Sequence, residues 1–312
     1  MDAQHVLRVI EDCFPSLHVD SVTFLAEGWS SEAWEINGTH VFRFAKRPAV
    51  ASGLLKEMRL LPVLGPCLPL QTPRFEFAWT GGLCYEGAFV GYRKILGTPL
   101  TPELWAGFTG ETIPRGECGG SQLALQLGQF LEALHSFPPE NALAVGMPHG
   151  DGSTWRTRYQ DLYRSVREQV FVLLSAEERG AVAERWQDFL ENEASFCFAP
   201  ALIHADLACE HILFDSERGR IVGVIDWEDA VIGDPALDFT GLLAELGIEV
   251  VAQVLGAYKR AHDLTLVARA RFYMALVPFY EVLYGLETGL REHIDAGLRA
   301  VRKMWTNNDV RQ

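Results

Sequence analysis

Three polar residues stand at the ends of short apolar segments in the second half of the chain. Asp206 follows the apolar run 201–203, and His211 comes five residues later. Asp226 ends a second apolar run, at 221–225. Transfer of a phosphoryl group to a hydroxyl needs a carboxylate that orients and deprotonates the hydroxyl, and ligands that hold Mg²⁺ on the nucleotide phosphates. The spacing of these residues supplies both parts and predicts phosphoryl-transfer chemistry.

The segments that carry these residues are HADLACEH at 204–211 and VIDWEDAVIGDP at 224–235. Together they resemble the signature of the aminoglycoside phosphotransferase family, which is related to protein kinases and choline kinases. The stretches AEGWSSEAWEIN at 26–37 and GYRKILGTPL at 91–100 are most similar to members that modify the 2″-hydroxyl of aminoglycoside antibiotics. The resemblance extends from Phe24 to the C-terminal helices.

The resemblance implies roles for individual residues. Asp206 is the expected catalytic base, and His211 and Asp226 are the expected Mg²⁺ ligands. His204 would brace the catalytic loop. Two aspartates downstream fit the same pattern and are expected to hydrogen-bond the loop backbone rather than to catalyse: Asp234 and Asp238.

The first third of the chain is made of short segments rich in β-branched and aromatic residues, separated by glycine-containing turns. Such segments predict strands, and apolar residues at helical spacing predict helices. The strands are expected at 21–26, 33–36, 40–44, 74–79 and 85–93, with helices at 6–14 and 54–64. This arrangement predicts a five-stranded antiparallel sheet with one inserted helix.

After Gly97 the pattern becomes mainly helical. Helices are expected at 121–136, 155–174, 176–196 and from about residue 237 onward, interrupted by a hairpin of strands 212–214 and 221–225. The fold class is therefore α+β, and the resemblance implies a bilobal protein-kinase-like fold. We expect a nucleotide-binding lobe at 1–92, a hinge at 93–97 and a catalytic and substrate-binding lobe at 98–312. The segment 103–120, rich in Gly, Thr and Pro, is expected to be an exposed loop.

The turn that holds Ser30 and Ser31 resembles the loop that covers nucleotide phosphates, although an ordinary hairpin turn is the alternative. Arg43 matches the usual phosphate-binding lysine of the family, with Lys46 as the alternative. Residues 43 and 46 point to opposite faces of a continuous strand, so only one can serve. The alternation of Arg43 with its apolar neighbours favours Arg43, which would pair with Glu57 on the following helix.

The stretch from Tyr92 through Lys94 to Ile95 resembles the interlobe hinge, whose backbone groups contact the purine. In relatives of the 2″ group a tyrosine at the position of Tyr92 is associated with guanine nucleotides. GTP is therefore expected as a phosphate donor beside ATP. The alternative is that Tyr92 only packs between the lobes.

A cationic substrate requires carboxylates around it. The sequence offers Glu210, Glu228, Asp229, Glu245 and Glu249. The last two are four residues apart and are expected to share one helical face. Tyr280 and Tyr284 repeat that spacing and could flank a sugar ring. A solvated acidic face and a core aromatic stripe are the alternatives.

The formal net charge of −14 disfavours nucleic acid as a partner and is compatible with a cationic ligand. No apolar run approaches the ~20 residues of a membrane span, and the N-terminus has no signal-peptide pattern. None of the six cysteines lies in a CxxC pair, which fits reduced thiols. We therefore expect a cytoplasmic monomer without membrane partners.

These observations predict an aminoglycoside O-phosphotransferase of the 2″ type that uses Mg²⁺ and GTP or ATP. The same chemistry on a macrolide, a choline-like amine or a sugar is the first alternative. A catalytically silent kinase-like binding module is the second. It is disfavoured because a binding module has no need of Asp206, His211 and Asp226 together.

Overall fold

The structure is a computed structural model and describes residues 1–28, 30–108 and 120–306. By their contacts these residues divide into two compact units. The first unit comprises 1–147, 208–230 and 253–259, and the second comprises 148–207, 231–252 and the chain from 260 onward. This division places residues 98–147 with the sheet, whereas the sequence predicts a boundary at 93–97. The predicted lobe boundary stays a prediction.

The N-terminal part of the first unit is a five-stranded antiparallel sheet with the strand order β1-β2-β3-β5-β4. Its elements are α1 (Ala3–Cys13), β1 (Val22–Glu27), β2 (Ser31–Ile36), β3 (His40–Ala45), α2 (Pro48–Leu64), β4 (Phe75–Thr80) and β5 (Ala88–Arg93). The predicted sheet and its inserted helix are confirmed. Helix α2 starts six residues before the predicted start, with Pro48 in its first turn, where the missing N–H costs nothing.

The two faces of this sheet bury different residues because side chains alternate along a strand. Phe42 and Phe44 of β3 belong to a core cluster that includes Val6 and Ile10 of α1. Ala45, on the opposite face, packs with Leu54 of α2. Arg43 has the same parity as Ala45, so the alternation directs it toward α2.

Residues 98–147 continue the first unit. They form β6 (Thr98–Pro99), α3 (Pro102–Gly107), α4 (Gly120–His135) and α5 (Pro139–Ala144). The prediction of a loop at 103–120 is wrong at its start, where Thr101 caps α3 by accepting a hydrogen bond from the Leu104 N–H at 3.2 Å. Residues 109–119 of that predicted loop lie outside the described residues.

The second unit begins with α6 (Gly152–Ser165), α7 (Ala176–Glu191) and β7 (Ala201–Ile203). The sequence predicts a single α-helix over 155–174. In the structure the α-helical part, α6, ends at Ser165, and it is followed by a π-helical turn at Val166–Val170 and a 3₁₀ turn at Phe171–Leu173. Helix α7 likewise ends before the predicted residue 196. Apolar periodicity cannot distinguish these helix types, because all of them bury one stripe.

A second, smaller sheet of the first unit carries two of the polar residues singled out in the sequence, His211 and Asp226. Strands β8 (Ile212–Asp215) and β9 (Arg220–Val224) form the predicted hairpin, and β6 pairs with β8. His211 ends a 3₁₀ turn directly before β8, and Asp226 follows β9. The Ile225 N–H donates to the His211 carbonyl at 2.9 Å, which fixes the two loop ends against each other.

The chain continues with β10 (Val231–Gly233), which pairs with β7 in the second unit, and four helices. These are α8 (Thr240–Leu246), α9 (Ile248–Ala257), α10 (Leu266–Thr288) and α11 (Arg291–Val301). Gly247 separates α8 from α9 with φ at 87°. No helix among the described residues has the length and apolar character needed to cross a bilayer.

Candidate active site

Arg43 is the centre of a buried charge cluster in the first unit. Its side chain is 6 % exposed, and Nη1 donates to both carboxylate oxygens of Glu57, at 3.0 and 2.9 Å. Glu57 is fully buried and also accepts from the Trp227 N–H at 2.5 Å. The pair therefore connects β3, α2 and the loop after β9. The Lys46 ammonium instead pairs with the exposed Glu27 at 2.6 Å.

Two further carboxylates reach the same guanidinium. Arg43 Nη2 donates to Asp226 Oδ1 at 2.6 Å and to Glu228 Oε2 at 3.3 Å. Glu228 also accepts a hydrogen bond from the Ser30 hydroxyl. Ser31 lies at the edge, with its Oγ 3.5 Å from Arg43 Nε. The predicted site residues Ser30, Ser31, Arg43, Glu57, Asp226 and Glu228 are thus brought together.

The cluster holds one cation against three acids. Burial lowers the pKa of Arg43, but Glu57 and Asp226 outweigh burial and raise that pKa above its ordinary value. Burial raises the pKa of Glu57, although Arg43 opposes this. Burial and the neighbouring Asp226 likewise raise the pKa of Glu228. The excess of negative charge makes this a site that favours further cations.

Asp226 is held in an unusual backbone conformation. Its φ is 67°, a region that costs a non-glycine residue energy. Its second carboxylate oxygen, Oδ2, lies 3.6 Å from His211 Nε2. A cation bound by a carboxylate oxygen and an imidazole nitrogen at ~2.1 Å from each would fit between atoms at that separation. Across the described parts of the chain, no cluster of three or more His, Cys, Asp or Glu side chains is suited to hold a metal.

Mg²⁺ keeps several water and phosphate ligands and needs only one or two carboxylates from a protein. The two donors offered by Asp226 and His211 therefore fit a magnesium ion that arrives with a nucleotide. The oxygen donor is the preferred one for this hard ion, and the imidazole is the less usual partner.

The residues predicted to form the hinge differ in their contacts. Tyr92 is 4 % exposed and packs edge-on against Phe75, and burial raises its pKa. Ile95 packs with Leu213 and Val222. The Lys94 ammonium pairs with Glu35, and the Lys94 N–H donates to the Thr39 carbonyl at 2.8 Å. The Lys94 N–H therefore already has an acceptor. It does not fit the expectation that backbone groups of this stretch contact the purine.

The loop that carries Asp206, the predicted catalytic base, belongs to the second unit. Asp206 is exposed, and its N–H donates to His204 Nδ1 at 3.3 Å. Asp238, which is fully buried, accepts from the N–H groups of His204 and Ala205 at 2.9 and 2.7 Å. Ala205 has φ at 69°, so the residue just before Asp206 is also strained. The expected bracing by His204 and Asp238 is confirmed.

Asp234 anchors the turn that carries Asp238. Its carboxylate caps that turn by accepting from the Ala236 N–H at 3.0 Å. Arg269 of α10 donates to Asp234 at 2.6 and 3.0 Å, and the Tyr273 hydroxyl donates to it at 2.7 Å. Arg269 also pairs with Asp263. Arg269 and Tyr273 were not predicted from the sequence, where Arg269 is one of two arginines near the start of α10.

The residues predicted to bind the substrate differ in exposure and in their partners. Glu210 and Asp229 are exposed in the first unit, and Glu210 lies 3.8 Å from His211 Nε2. Glu228 is instead bound to Arg43 and Ser30, so its carboxylate already has two protein donors.

The prediction that Glu245 and Glu249 share one helical face is wrong. Glu245 is on α8 and Glu249 on α9, and Gly247 between them has a left-handed φ that ends the first helix. Both are exposed. Tyr280 and Tyr284 do lie one turn apart on α10, and Tyr280 is 41 % exposed, whereas the Tyr284 ring packs against His293.

Comparisons with known proteins show the family of the chain. Residues 21–273 match the profile of the APH family, described as the phosphotransferase enzyme family. The viomycin phosphotransferase of Streptomyces vinaceus is 28 % identical over 269 residues, which cover 85 % of this chain and 88 % of that protein.

Solved structures give a similar result. A complex of APH(2″)-IIIa with GDP and kanamycin is 30 % identical, with a TM-score of 0.87 over 97 % of this chain and 99 % of that one. A macrolide 2′-phosphotransferase of type I has a TM-score of 0.74 over 94 % and 95 % of the two chains. Its 22 % identity shows a common fold alone.

The fold and the family match define a kinase-like phosphotransferase. The chain belongs to the APH phosphotransferase enzyme family and transfers a phosphoryl group from a nucleotide to an alcohol group.

Proposed function

We propose that this enzyme is an aminoglycoside O-phosphotransferase of the 2″ type, which would confer antibiotic resistance. The observation that carries the proposal is the similarity, over 97 % of the chain, to APH(2″)-IIIa in complex with GDP and kanamycin. The pairing of Arg43 with Glu57 and the bracing of Asp206 supply the chemical parts that such a reaction requires.

On the nucleotide side, Arg43 and Ser30 are the proposed ligands of the phosphates. Arg43 presents a planar guanidinium that Glu57 holds in one orientation, and a fixed fork of donors suits phosphate oxygens. Tyr92 is the proposed neighbour of the base. GTP is the proposed donor, with ATP as the alternative, because the compared complex holds GDP.

Asp226 and His211 are the proposed residues that hold Mg²⁺. When bound there, the ion would neutralise charge on the phosphates and help to orient them. The three acids around Arg43 make that position favourable for a cation.

Asp206 is the proposed general base. Its carboxylate takes the proton of the substrate hydroxyl while the hydroxyl oxygen forms a bond to the γ-phosphorus and the bond from that phosphorus to the nucleoside diphosphate breaks. Asp238 accepts hydrogen bonds from the N–H groups of His204 and Ala205, the two residues before Asp206. The base therefore lies on a loop with a fixed backbone. Fixed positioning accounts for much of catalysis in this type of reaction.

Exposed carboxylates are the proposed ligands of the substrate ammonium groups: Glu210, Asp229, Glu245 and Glu249. Tyr280, partly exposed on α10, and Tyr284 are proposed to contact the sugar rings. Each charge-assisted hydrogen bond contributes about 1.5–3 kcal/mol when well formed.

The relative that acts on viomycin and the shared fold with a macrolide enzyme define the alternative substrates. We would test the purified enzyme with GTP and with ATP against kanamycin and other aminoglycosides, viomycin, a macrolide and choline. The proposal predicts turnover with a 2″-hydroxyl aminoglycoside and a product phosphorylated at that oxygen. Turnover with viomycin or a macrolide alone would replace the substrate assignment, and no turnover would favour a silent binding module.

A further inference from the structure

The side chain of Glu228 contacts three elements of the first unit. The Ser30 hydroxyl donates to one carboxylate oxygen, and Arg43 Nη2 donates to the other at 3.3 Å. Gly53 of α2 faces the same side chain, and a Cβ at that position would lie 3.0 Å from Glu228 Cβ. The absence of a side chain at Gly53 therefore makes room for Glu228 against α2.

Ser30 and Arg43 are the two groups that the proposed function assigns to the nucleotide phosphates. A carboxylate that accepts hydrogen bonds from both offers them the same charge and the same kind of acceptor atom as a phosphate oxygen. We propose that Glu228 occupies the phosphate-binding groups of the nucleotide-free enzyme and that the nucleotide displaces it. This inference rests on the proposed function.

The other partners of Arg43 make the exchange feasible. Glu57 holds Nη1 through both of its oxygens and Asp226 holds Nη2 at 2.6 Å, whereas Glu228 is the more distant acceptor on Nη2. Release of Glu228 therefore leaves the guanidinium oriented by Glu57 and Asp226. Glu228 is also 17 % exposed at its side chain, so the carboxylate has water beside it when it leaves.

The exchange has a cost in affinity. An incoming phosphate must displace a carboxylate from Ser30 and Arg43 and is repelled by that carboxylate until it moves away. Glu228 would therefore act as an intramolecular competitor that lowers nucleotide affinity, most strongly when no Mg²⁺ shields the phosphates.

The test measures GDP binding by calorimetry in the presence of EDTA and again with Mg²⁺. Glu228→Gln removes the charge, and Glu228→Ala removes the whole acceptor group. Both variants should bind Mg²⁺-free GDP roughly three- to tenfold more tightly than wild type, the order expected for one like charge near a partly solvated site. Glu140→Gln makes the same change at an exposed position of α5 and should leave the affinity unchanged.

A second readout is hydrogen exchange in peptides that cover residues 22–36, without nucleotide. Exchange should become faster in Glu228→Ala because the Ser30 hydroxyl loses its acceptor, while a melting curve shows that the variant is folded. Unchanged or weaker Mg²⁺-free binding of GDP by both variants would overturn the inference. If the two variants differ from wild type only in needing more Mg²⁺ to bind GDP, Glu228 serves as a metal ligand. That result would also overturn the inference.

Arg43→Ala separates this inference from the proposed function. If Arg43→Ala weakens the binding of GDP while Glu228→Gln and Glu228→Ala leave it unchanged, only the competitor role fails. If the wild-type enzyme binds neither GDP nor ADP, the proposed function fails and the competitor role fails with it.

Discussion

At the scale of single residues, Asp206 carries the most direct prediction. Asp206→Asn keeps the shape of the side chain and removes its capacity to accept a proton, so kcat should fall by at least ~10²-fold. The nucleotide Kd should stay near that of wild type, because the residues proposed to bind phosphate are elsewhere in the chain. Steady-state kinetics and calorimetry measure the two quantities, and unaltered kcat would remove Asp206 from the catalytic role.

The choice between Arg43 and Lys46 is a second prediction at this scale. Arg43→Lys keeps a positive charge but cannot donate to both oxygens of Glu57 and also to Asp226 from a fixed plane. The nucleotide KM should rise by ~10-fold, which corresponds to one charge-assisted hydrogen bond. Lys46→Ala is the matched control, since Lys46 pairs with an exposed Glu27. A larger effect at Lys46 would reverse the assignment.

At the scale of elements, segments rich in β-branched and aromatic residues between glycine-containing turns predicted the five-stranded sheet, and alternation along β3 predicted the side on which Arg43 lies. The hairpin at β8 and β9 was predictable for the same reason. The break between α8 and α9 was missed because apolar spacing continues across Gly247, although a glycine that can adopt a positive φ, here 87°, is a common end of a helix. Arg269 was missed because its partner Asp234 is 35 residues away in sequence and its partner Asp263 lies before the start of the helix.

The network around Arg269 gives a pH prediction. The pKa of Asp263 falls from 3.8 to about 2, because hydrogen bonds from Arg269 and Thr265 outweigh the opposite effect of burial. A carboxyl group with a depressed pKa in the folded state stabilises the fold above its unfolded pKa, and this stabilisation is lost as pH falls toward 2. Asp263→Asn should therefore lower the free energy of unfolding at neutral pH and flatten its decrease between pH 3.8 and pH 2.

Urea denaturation at a series of pH values checks this slope. Asp161→Asn is the control, since Asp161 forms an exposed pair with Arg164 one turn away, and such pairs contribute little. An equally steep acid decrease in Asp263→Asn and wild type would show that Asp263 is not stabilised by Arg269.

At the scale of the whole molecule, the net charge of −14 bears on substrate choice. A polycationic substrate is attracted by such a chain at long range, and salt screens that attraction within about 10 Å at 0.1 M. The reaction with an aminoglycoside should therefore show a KM that rises with ionic strength. A neutral acceptor such as a sugar would show no such dependence, so the salt series distinguishes the two substrate classes.

Glu245 and Glu249 distinguish direct binding of the substrate from attraction by the net charge of the chain. Glu245 and Glu249 are exposed on two successive helices rather than on one face, so their mutual repulsion is not fixed by helical geometry. If they bind ammonium groups, Glu245→Gln combined with Glu249→Gln should raise the aminoglycoside KM by ~10-fold or more and leave the nucleotide KM nearly unchanged.

The control is a double variant with the same net charge. Glu140→Gln with Glu177→Gln neutralises two exposed acids at the starts of α5 and α7, so both double variants carry −12 instead of −14. General attraction by the whole chain predicts equal small rises in KM for the two variants. Direct contact with the substrate predicts a large rise only for the pair at 245 and 249, because a nearby carboxylate supplies hydrogen bonds that distant charge cannot replace. Equal KM values in the two variants would remove Glu245 and Glu249 from the substrate site.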